Sequence, residues 1–409
     1  MSARASLVAA APGKRDLALL FAGALAARGL VLLLASRLTG WAPLDLAMLS
    51  DGHSDMVLSK TFPALYVGTD RLVPFVTIWR DDPFAFFTRF PLFPAAIGLV
   101  SRVLGDLRLS ALVVSQLAGA LAVVRFRLLA GSFTARAGLV AALFAVFPAT
   151  WLETTSLAYT EGLLVLCAVS AFHAWVGGRI WPAVAWAGAA AVVQKHGFLL
   201  IGVLGASQLV AGRRRLGDLA PLALALLPPA ALAIWFWVLS GSPFTVLDRN
   251  QMLFGDRGSA FGWPLVAFMN GVITYGREFA DHFWLRKALL VSSLAFYGWA
   301  LLGALRRRDP RQAPLVVWLG TSLAFCSIMG GVWAYYYFPR YVLLGAPAAL
   351  LLAVDRVPWP AAPAARALVV AGIAAACIVA AAMGTQAMWG LCLHVWTPRY
   401  YEQLRPLLH

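Results

Sequence analysis

Asp51, His53 and Asp55 alternate along one short stretch, Ser50-Asp51-Gly52-His53-Ser54-Asp55. A carboxylate placed within hydrogen-bond reach of a hydroxyl can take its proton, provided its pKa suits the working pH. Burial raises such a pKa and a nearby cation lowers it. If the stretch is helical, Asp51 and Asp55 lie one turn apart and share a face. Asp51 is the first candidate for a general base. Other readings stand beside that one. Asp51 also suits the N-cap of a short helix. Asp-x-His-x-Asp has ligands that suit a divalent ion, and it equally suits a solvated loop, so no metal is assigned.

These residues belong to a long carboxylate- and aromatic-rich loop, residues 41–94, in an otherwise apolar chain. The loop carries Asp45, Asp51, Asp55, Asp70, Asp81 and Asp82, six of the 18 acidic residues, and closes with Phe86-Phe87-Thr88-Arg89-Phe90-Pro91-Leu92-Phe93-Pro94. A membrane protein needs few carboxylates to hold its spans in lipid. A cluster in one loop therefore points to chemistry at the membrane surface.

The elements around the loop read as membrane helices. The chain is 61% hydrophobic and 12% charged, with mean hydropathy +0.78, whereas a soluble domain is about 45–50% apolar and about 25% charged. Its apolar runs are continuous rather than alternating, which favours helices over a barrel. Predicted spans fall near 17–36, 109–124, 137–150, 159–176, 181–194, 197–212, 219–240, 288–305, 312–331, 341–354 and 365–385. The reading is an all-α polytopic protein, a bundle of about 11 transmembrane helices forming a single membrane domain over residues 1–409. Several runs fall short of the ~20 residues a span needs, so tilted or bent helices are expected. No internal repeat marks two transporter-like halves.

The net charge of +15 comes from 29 arginines against Lys14, Lys60, Lys195 and Lys287. It reads as positive-inside topology with anionic-lipid contact, and no nucleic-acid partner is assigned. The arginine bias and abundant alanine fit a GC-rich bacterial genome, and hence a multi-pass protein of a bacterial plasma membrane. Cys167, Cys326, Cys377 and Cys392 form no evident disulfide or metal spacing. No small-residue cleavage site follows the first apolar run, so no cleavable signal peptide is read.

The triplets Arg213-Arg214-Arg215 and Arg306-Arg307-Arg308 fall on one side, the cytoplasm, if residues 91–104 do not cross. Pro91–Leu104 is then an interfacial or re-entrant helix on the outer side. The first outward loop, 41–108, the second, 241–287, and the tail, 386–409, share the outer face. Glu153, Glu161, Lys195 and His196 sit at outer mouths of spans. Ionisable groups at a membrane edge are functional suspects.

Several blocks, in order, resemble the PIG-V-type glycosyltransferases of the GT-C superfamily. Asp51 stands where that family has Trp-Asp, although the Trp is missing. Phe90-Pro91-Leu92-Phe93-Pro94, Tyr159-Thr160-Glu161, Gln251-Met252-Leu253-Phe254-Gly255-Asp256-Arg257 and Arg340-Tyr341 echo further family blocks, and Gln194-Lys195-His196 stands where the family usually has Thr-Arg. The resemblance implies an inverting enzyme without cofactor. It would move a sugar, typically mannose, from a polyprenyl-phosphate donor to a hydroxyl of a glycolipid, polysaccharide or protein acceptor on the extracytoplasmic face. Asp51 would be the base. Arg89, Lys195, His196, Arg257 and Arg340 would bind phosphate, Gln251 to Arg257 would contact sugar hydroxyls, and His53, Asp55 and Glu161 would support substrate binding. Glu161 needs a partner if buried, with Lys195 or His196 predicted at its level. The tyrosines before Arg340 equally suit an interfacial aromatic belt. The competing class is a transporter or flippase for a lipid-linked or anionic solute, which would carry charge inside its spans. A third reading is a non-catalytic scaffold subunit. No P-loop, GxSxG or HExxH is present.

Overall fold

The computed structural model describes residues 12–49, 51–67, 85–210, 216–242, 245, 263–265, 280–328, 339–395 and 398–409. It is an all-α polytopic fold, with no strand among the described residues. The α-helices, in chain order, are α1 (Lys14–Thr39), α2 (Gly52–Ser59), α3 (Leu92–Leu104), α4 (Leu107–Ala130), α5 (Ala137–Val146), α6 (Ala149–Ser156), α7 (Glu161–Val176), α8 (Ile180–Ala191), α9 (Gly197–Val210), α10 (Leu227–Ser240), α11 (Ala280–Arg307), α12 (Ala313–Ile328), α13 (Ala346–Val354), α14 (Pro363–Val395) and α15 (Pro398–Leu404). Every predicted span coincides with a helix or a joined pair.

Length separates them into two kinds. Lys14–Thr39, Leu107–Ala130, Leu219–Ser240 and Pro363–Gly390 are long and apolar enough to cross a membrane, and α5 with α6 makes a fifth if their 60° bend is counted within one span. Six further apolar helices, among them α7, α8, α9 and α12, are shorter. At 1.5 Å per residue they reach about 18–24 Å against a ~30 Å hydrocarbon core. The bend between α5 and α6 has a local cause. Pro148 has no N–H to give, and Phe147 before it is extended.

Three boundaries differ from those predicted. α4 runs on to Ala130 and takes Arg125 and Arg127 into its last turns, where cations offset the helix dipole. α11 begins at Ala280. α14 continues to Val395 rather than stopping near 385, because residues 386–395 contain no proline before Pro398. Part of the predicted tail is therefore helix. α3 falls within the residues predicted for a helix at 91–104 and spans 13 residues. Its end and the start of α4 share one corner. Gly105 adopts φ +76, a left-handed C-cap that glycine enters freely, and the Asp106 carboxylate accepts from the N–H groups of Arg108 and Leu109 at 2.7 and 3.1 Å.

Two apolar cores result. The larger is built on α4, α5, α7 and α8 and reaches residues 342–354. The smaller gathers Leu46, Met56, Tyr66, Phe86, Phe87, Phe93, Tyr159 and Tyr401 from the first loop, the turn before α7 and the chain end. The segments carrying the chemistry meet where these cores adjoin.

Candidate active site

α2 begins where the chain presses closest to its neighbours. A Cβ on Gly52 would strike the Ala47 carbonyl and fall 3.0 Å from that of Ala158. Glycine here lets the start of α2 sit against the turn leading into α7. Asp51 occupies the N-cap position of α2, but its side chain caps nothing. It turns instead to two guanidiniums. Arg89 NH1 lies 2.9 Å from Asp51 Oδ1, and Arg340 NH2 lies 3.0 Å from Asp51 Oδ2.

Arg340, just before the 3-10 turn Val342–Gly345, is buried and holds a second carboxylate. Its Nε and NH2 donate to the same oxygen of Glu161, at 3.0 and 2.8 Å. Its guanidinium carbon stands 4.2 Å from the centroid of the Tyr159 ring, a cation–π contact. Glu161 is the first residue of α7, where the helix dipole favours an acid. Gln194 Nε2 adds a longer contact of 3.5 Å to Glu161 Oε1. The partner of Glu161 is therefore Arg340, not the predicted Lys195 or His196. Burial decides this, because a guanidinium can meet both carboxylates with separate N–H groups.

The ion chain Glu161–Arg340–Asp51–Arg89 joins a sealed pair to a more accessible one. Glu161 and Arg340 side chains are 1% and 4% exposed, whereas Asp51 is 32% and Arg89 19%. Asp51 is the accessible carboxylate. Burial alone would raise it, but Arg89 and Arg340 outweigh burial and hold it well below the usual carboxylate range. Arg89 follows the short 3-10 turn Ala85–Thr88, and its carbonyl accepts from the Tyr66 hydroxyl at 2.7 Å. Tyr66 has φ +74, unusual for a bulky residue, and stands edge-on to Phe87 and Phe236.

Asp55 lies one turn along α2, as predicted. Its N–H bonds the Asp51 carbonyl, and the residue as a whole is 1% exposed. Its Oδ2 has no hydrogen-bond partner among the described residues. Burial pushes it up to about 7. Arg89 and Arg340 pull against that, while Asp51 and Glu161 add to it. His53 is buried in α2 with Nε2 3.2 Å from the Ser54 hydroxyl. Lys195 is exposed, its Nζ 5.9 Å from the Tyr341 ring centroid, and His196 packs against Tyr341 and Phe325. Burial, then Lys195 and Arg340, hold His196 well below its ordinary value.

Other predicted candidates lie elsewhere. Asp45 is buried and meets Arg108 at 2.7 Å and Arg405 at 2.6 Å, so it joins the first loop to the chain end rather than to Asp51. Glu153 faces Gly384 of α14. Asp70, Asp81, Asp82, Gln251 and Arg257 lie outside the described residues. Tyr159 and Tyr66 were not singled out as site residues, and their signal was weak. A tyrosine beside an apolar span reads first as packing. Arg28 was also missed. It is fully buried midway along α1, NH1 donating to the Ala24 carbonyl at 2.8 Å and its guanidinium carbon 5.4 Å from the Trp151 ring.

No protein-family model matches the chain, and a comparison with curated proteins gives no match. Among solved structures, it is similar to an oligosaccharyltransferase from Archaeoglobus fulgidus, a crystal structure with a disulfide-tethered acceptor peptide containing the NVT sequon. The TM-score is 0.42 at 15% identity, and the match covers 93% of this chain and 59% of that one.

Proposed function

We propose that this chain is a GT-C-type inverting glycosyltransferase. It would move a sugar, mannose by the resemblance of its blocks, from a polyprenyl-phosphate donor to an acceptor hydroxyl on the extracytoplasmic face. The single observation that carries the reading is the ion chain in which Arg340 joins Asp51 to Glu161 while Arg89 holds the outer edge of Asp51.

The chemistry needs a base for the hydroxyl and cations for the leaving phosphate. In this reading the acceptor oxygen attacks the anomeric carbon and its proton passes to Asp51. The bond from that carbon to the phosphate oxygen breaks, and the phosphate leaves with the electron pair. Arg89 and the exposed Lys195 are the cations best placed to meet a phosphate. A phosphate that draws Arg89 away also loosens its hold on Asp51. The carboxylate then becomes more basic at the moment the donor is in place. Glu161 keeps Arg340 oriented throughout.

The test is transfer from radiolabelled polyprenyl-phosphate-mannose in membranes, comparing wild type with Asp51→Asn at matched expression. Transfer by wild type and its loss in the variant supports the reading. Transfer by both moves the base to Asp55. No transfer by either overturns the assignment of donor and reaction.

A second reading, a transporter for a lipid-linked or anionic solute, draws on Arg28. A fully buried cation midway along a span is the mid-span charge that such a protein uses.

A further inference from the structure

We propose that the groove between the last turns of α11 and Arg356 binds the headgroup of an anionic phospholipid. The groove has a volume of about 490 Å³ and is lined by Trp299, Leu302, Gly303, Arg306, Arg307 and Arg356. It is separate from the ion chain. None of Asp51, Arg89, Glu161 and Arg340 lines it.

Arg356 is fixed for binding. Its NH1 donates to the carbonyls of Trp299 and Ala300 at 3.1 and 2.9 Å, and its guanidinium carbon stands 5.7 Å from the Trp299 ring centroid. The guanidinium lies against Gly303, where a Cβ would collide with it. Its Nε and NH2 are buried and have no hydrogen-bond partner among the described residues. Two N–H donors on a planar fork left in this state match the oxygens of a phosphate.

Charge points the same way. Arg306 and Arg307 are exposed beside Arg356, and none of the three forms a salt bridge among the described residues. The acids nearest in sequence are committed elsewhere. Asp355 accepts from the Thr134 hydroxyl at 3.1 Å, and Asp309 accepts from the Arg311 N–H at 2.9 Å. Like charges held together favour an anion between them. Trp299, Leu302 and Leu305 are 46%, 57% and 50% exposed on the same helix. In a membrane this strip faces acyl chains. The groove thus leads from an apolar lane to a cationic end, which fits an amphiphilic anion rather than a free one.

The experiment is thermal unfolding of the purified full chain in neutral detergent, titrated with dioleoylphosphatidylglycerol, dioleoylphosphatidylcholine or inorganic phosphate. The expected result is a saturable upward shift of Tm with the anionic lipid and none with the other two. Arg356→Gln is expected to weaken the apparent affinity at least ten-fold. Arg311→Gln, which removes the same charge outside the groove, is expected to leave it within two-fold. Should Arg356→Gln fail to fold, Gly303→Leu fills the groove without removing charge and is expected to abolish the saturable shift. No shift in wild type, an equal loss in Arg311→Gln, or an equal shift with inorganic phosphate would each overturn the proposal.

Discussion

Arg340 grips Glu161 with two nitrogens on one carboxylate oxygen, Nε at 3.0 Å and NH2 at 2.8 Å, and the same NH2 reaches Asp51 at 3.0 Å. The Glu161 side chain is 1% exposed, so this pair is sealed, while the Asp51 side chain is 32% exposed and faces outward. One end of the unit anchors and the other is available.

Arg340→Lys tests that division. An ammonium is a point donor and cannot copy the fork. Arg340→Ala leaves the Glu161 charge buried alone, and breaking a buried pair in this way costs about 3–5 kcal/mol. The expected outcome is a large drop of Tm for Arg340→Ala in detergent. Arg340→Lys is expected to keep most of the stability and to lose transfer activity by about 10²-fold, the scale of one mispositioned group. Equal Tm for wild type and Arg340→Ala would count against the sealed pair.

Asp55 sets a pH dependence whose sign is fixed by its direction of shift. It rises from about 3.9 when unfolded to about 7 when folded. The folded chain therefore holds this proton more tightly. The stability it confers is complete below about pH 4 and is lost as pH rises through about 7, a change of roughly 4 kcal/mol at most. Asp51 acts in the opposite sense, and only as pH falls below the ordinary carboxylate range. Melting between pH 5 and 8 is expected to fall more steeply for wild type than for Asp55→Asn, which mimics the protonated acid. Parallel slopes would show that Asp55 titrates in its ordinary range.

Much of this site was legible in the sequence because charge is scarce in an apolar chain. Asp51 was marked by its carboxylate-rich loop, Glu161 by its place at the mouth of a span, and Arg89 and Arg340 by the family resemblance, and the structure brings all four together. The pairing was not legible. Which cation meets Glu161 depends on how α7 and the segment after residue 339 lean on each other, and spacing carries no record of that. The loop carboxylates looked like one group, yet Asp45 goes to Arg108 and Arg405. A run of acids along a chain says nothing about which way each backbone turn sends its side chain. The spans were legible from hydropathy, and so was the shortness of several of them, α8 and α9 included, because the apolar runs themselves are short.

Gly52→Ala probes the close approach that places Asp51. The added Cβ meets backbone carbonyls at Ala47 and Ala158 rather than a flexible side chain. Relief requires moving the start of α2, at about 1–3 kcal/mol by analogy with overpacked cores. A lower Tm together with lost transfer is expected. A variant with unchanged Tm would show that the start of α2 yields freely.

The Asp45 cluster separates a structural ion pair from a superficial one. Arg405 is 46% exposed, so Arg405→Ala is expected to cost no more than about 1 kcal/mol. Arg108 is 6% exposed and loses its 2.7 Å partner in Asp45→Ala. The Asp106 carboxylate, 3.0 Å away, compensates only in part. The Tm drop of Asp45→Ala is expected to exceed that of Arg405→Ala clearly, and the reverse order would show that the chain end is held chiefly through Arg405.

Arg28 decides between the two functional readings, because each asks something different of a buried charge. Its Nε and NH2 have no hydrogen-bond partner among the described residues, although NH1 is satisfied by Ala24. It lies against Gly119, where a Cβ would fall 2.7 Å from its Nε, so the side chain fills a fitted slot. In an enzyme whose chemistry sits at Asp51, Arg28 is a packing residue. Replacing a buried ion by an apolar side chain of similar volume is often neutral or stabilising. Arg28→Met is then expected to keep transfer within about three-fold, the spread of a tolerated core swap, with Tm equal or higher. In a transporter the cation itself meets the passing anion, and Arg28→Met would abolish uptake of lipid-linked or anionic solute into proteoliposomes while leaving Tm unchanged. Measuring transfer and uptake on the same preparation reads both outcomes. Retained transfer with no uptake in wild type supports the enzyme, and uptake that vanishes with Arg28 would replace that reading with transport.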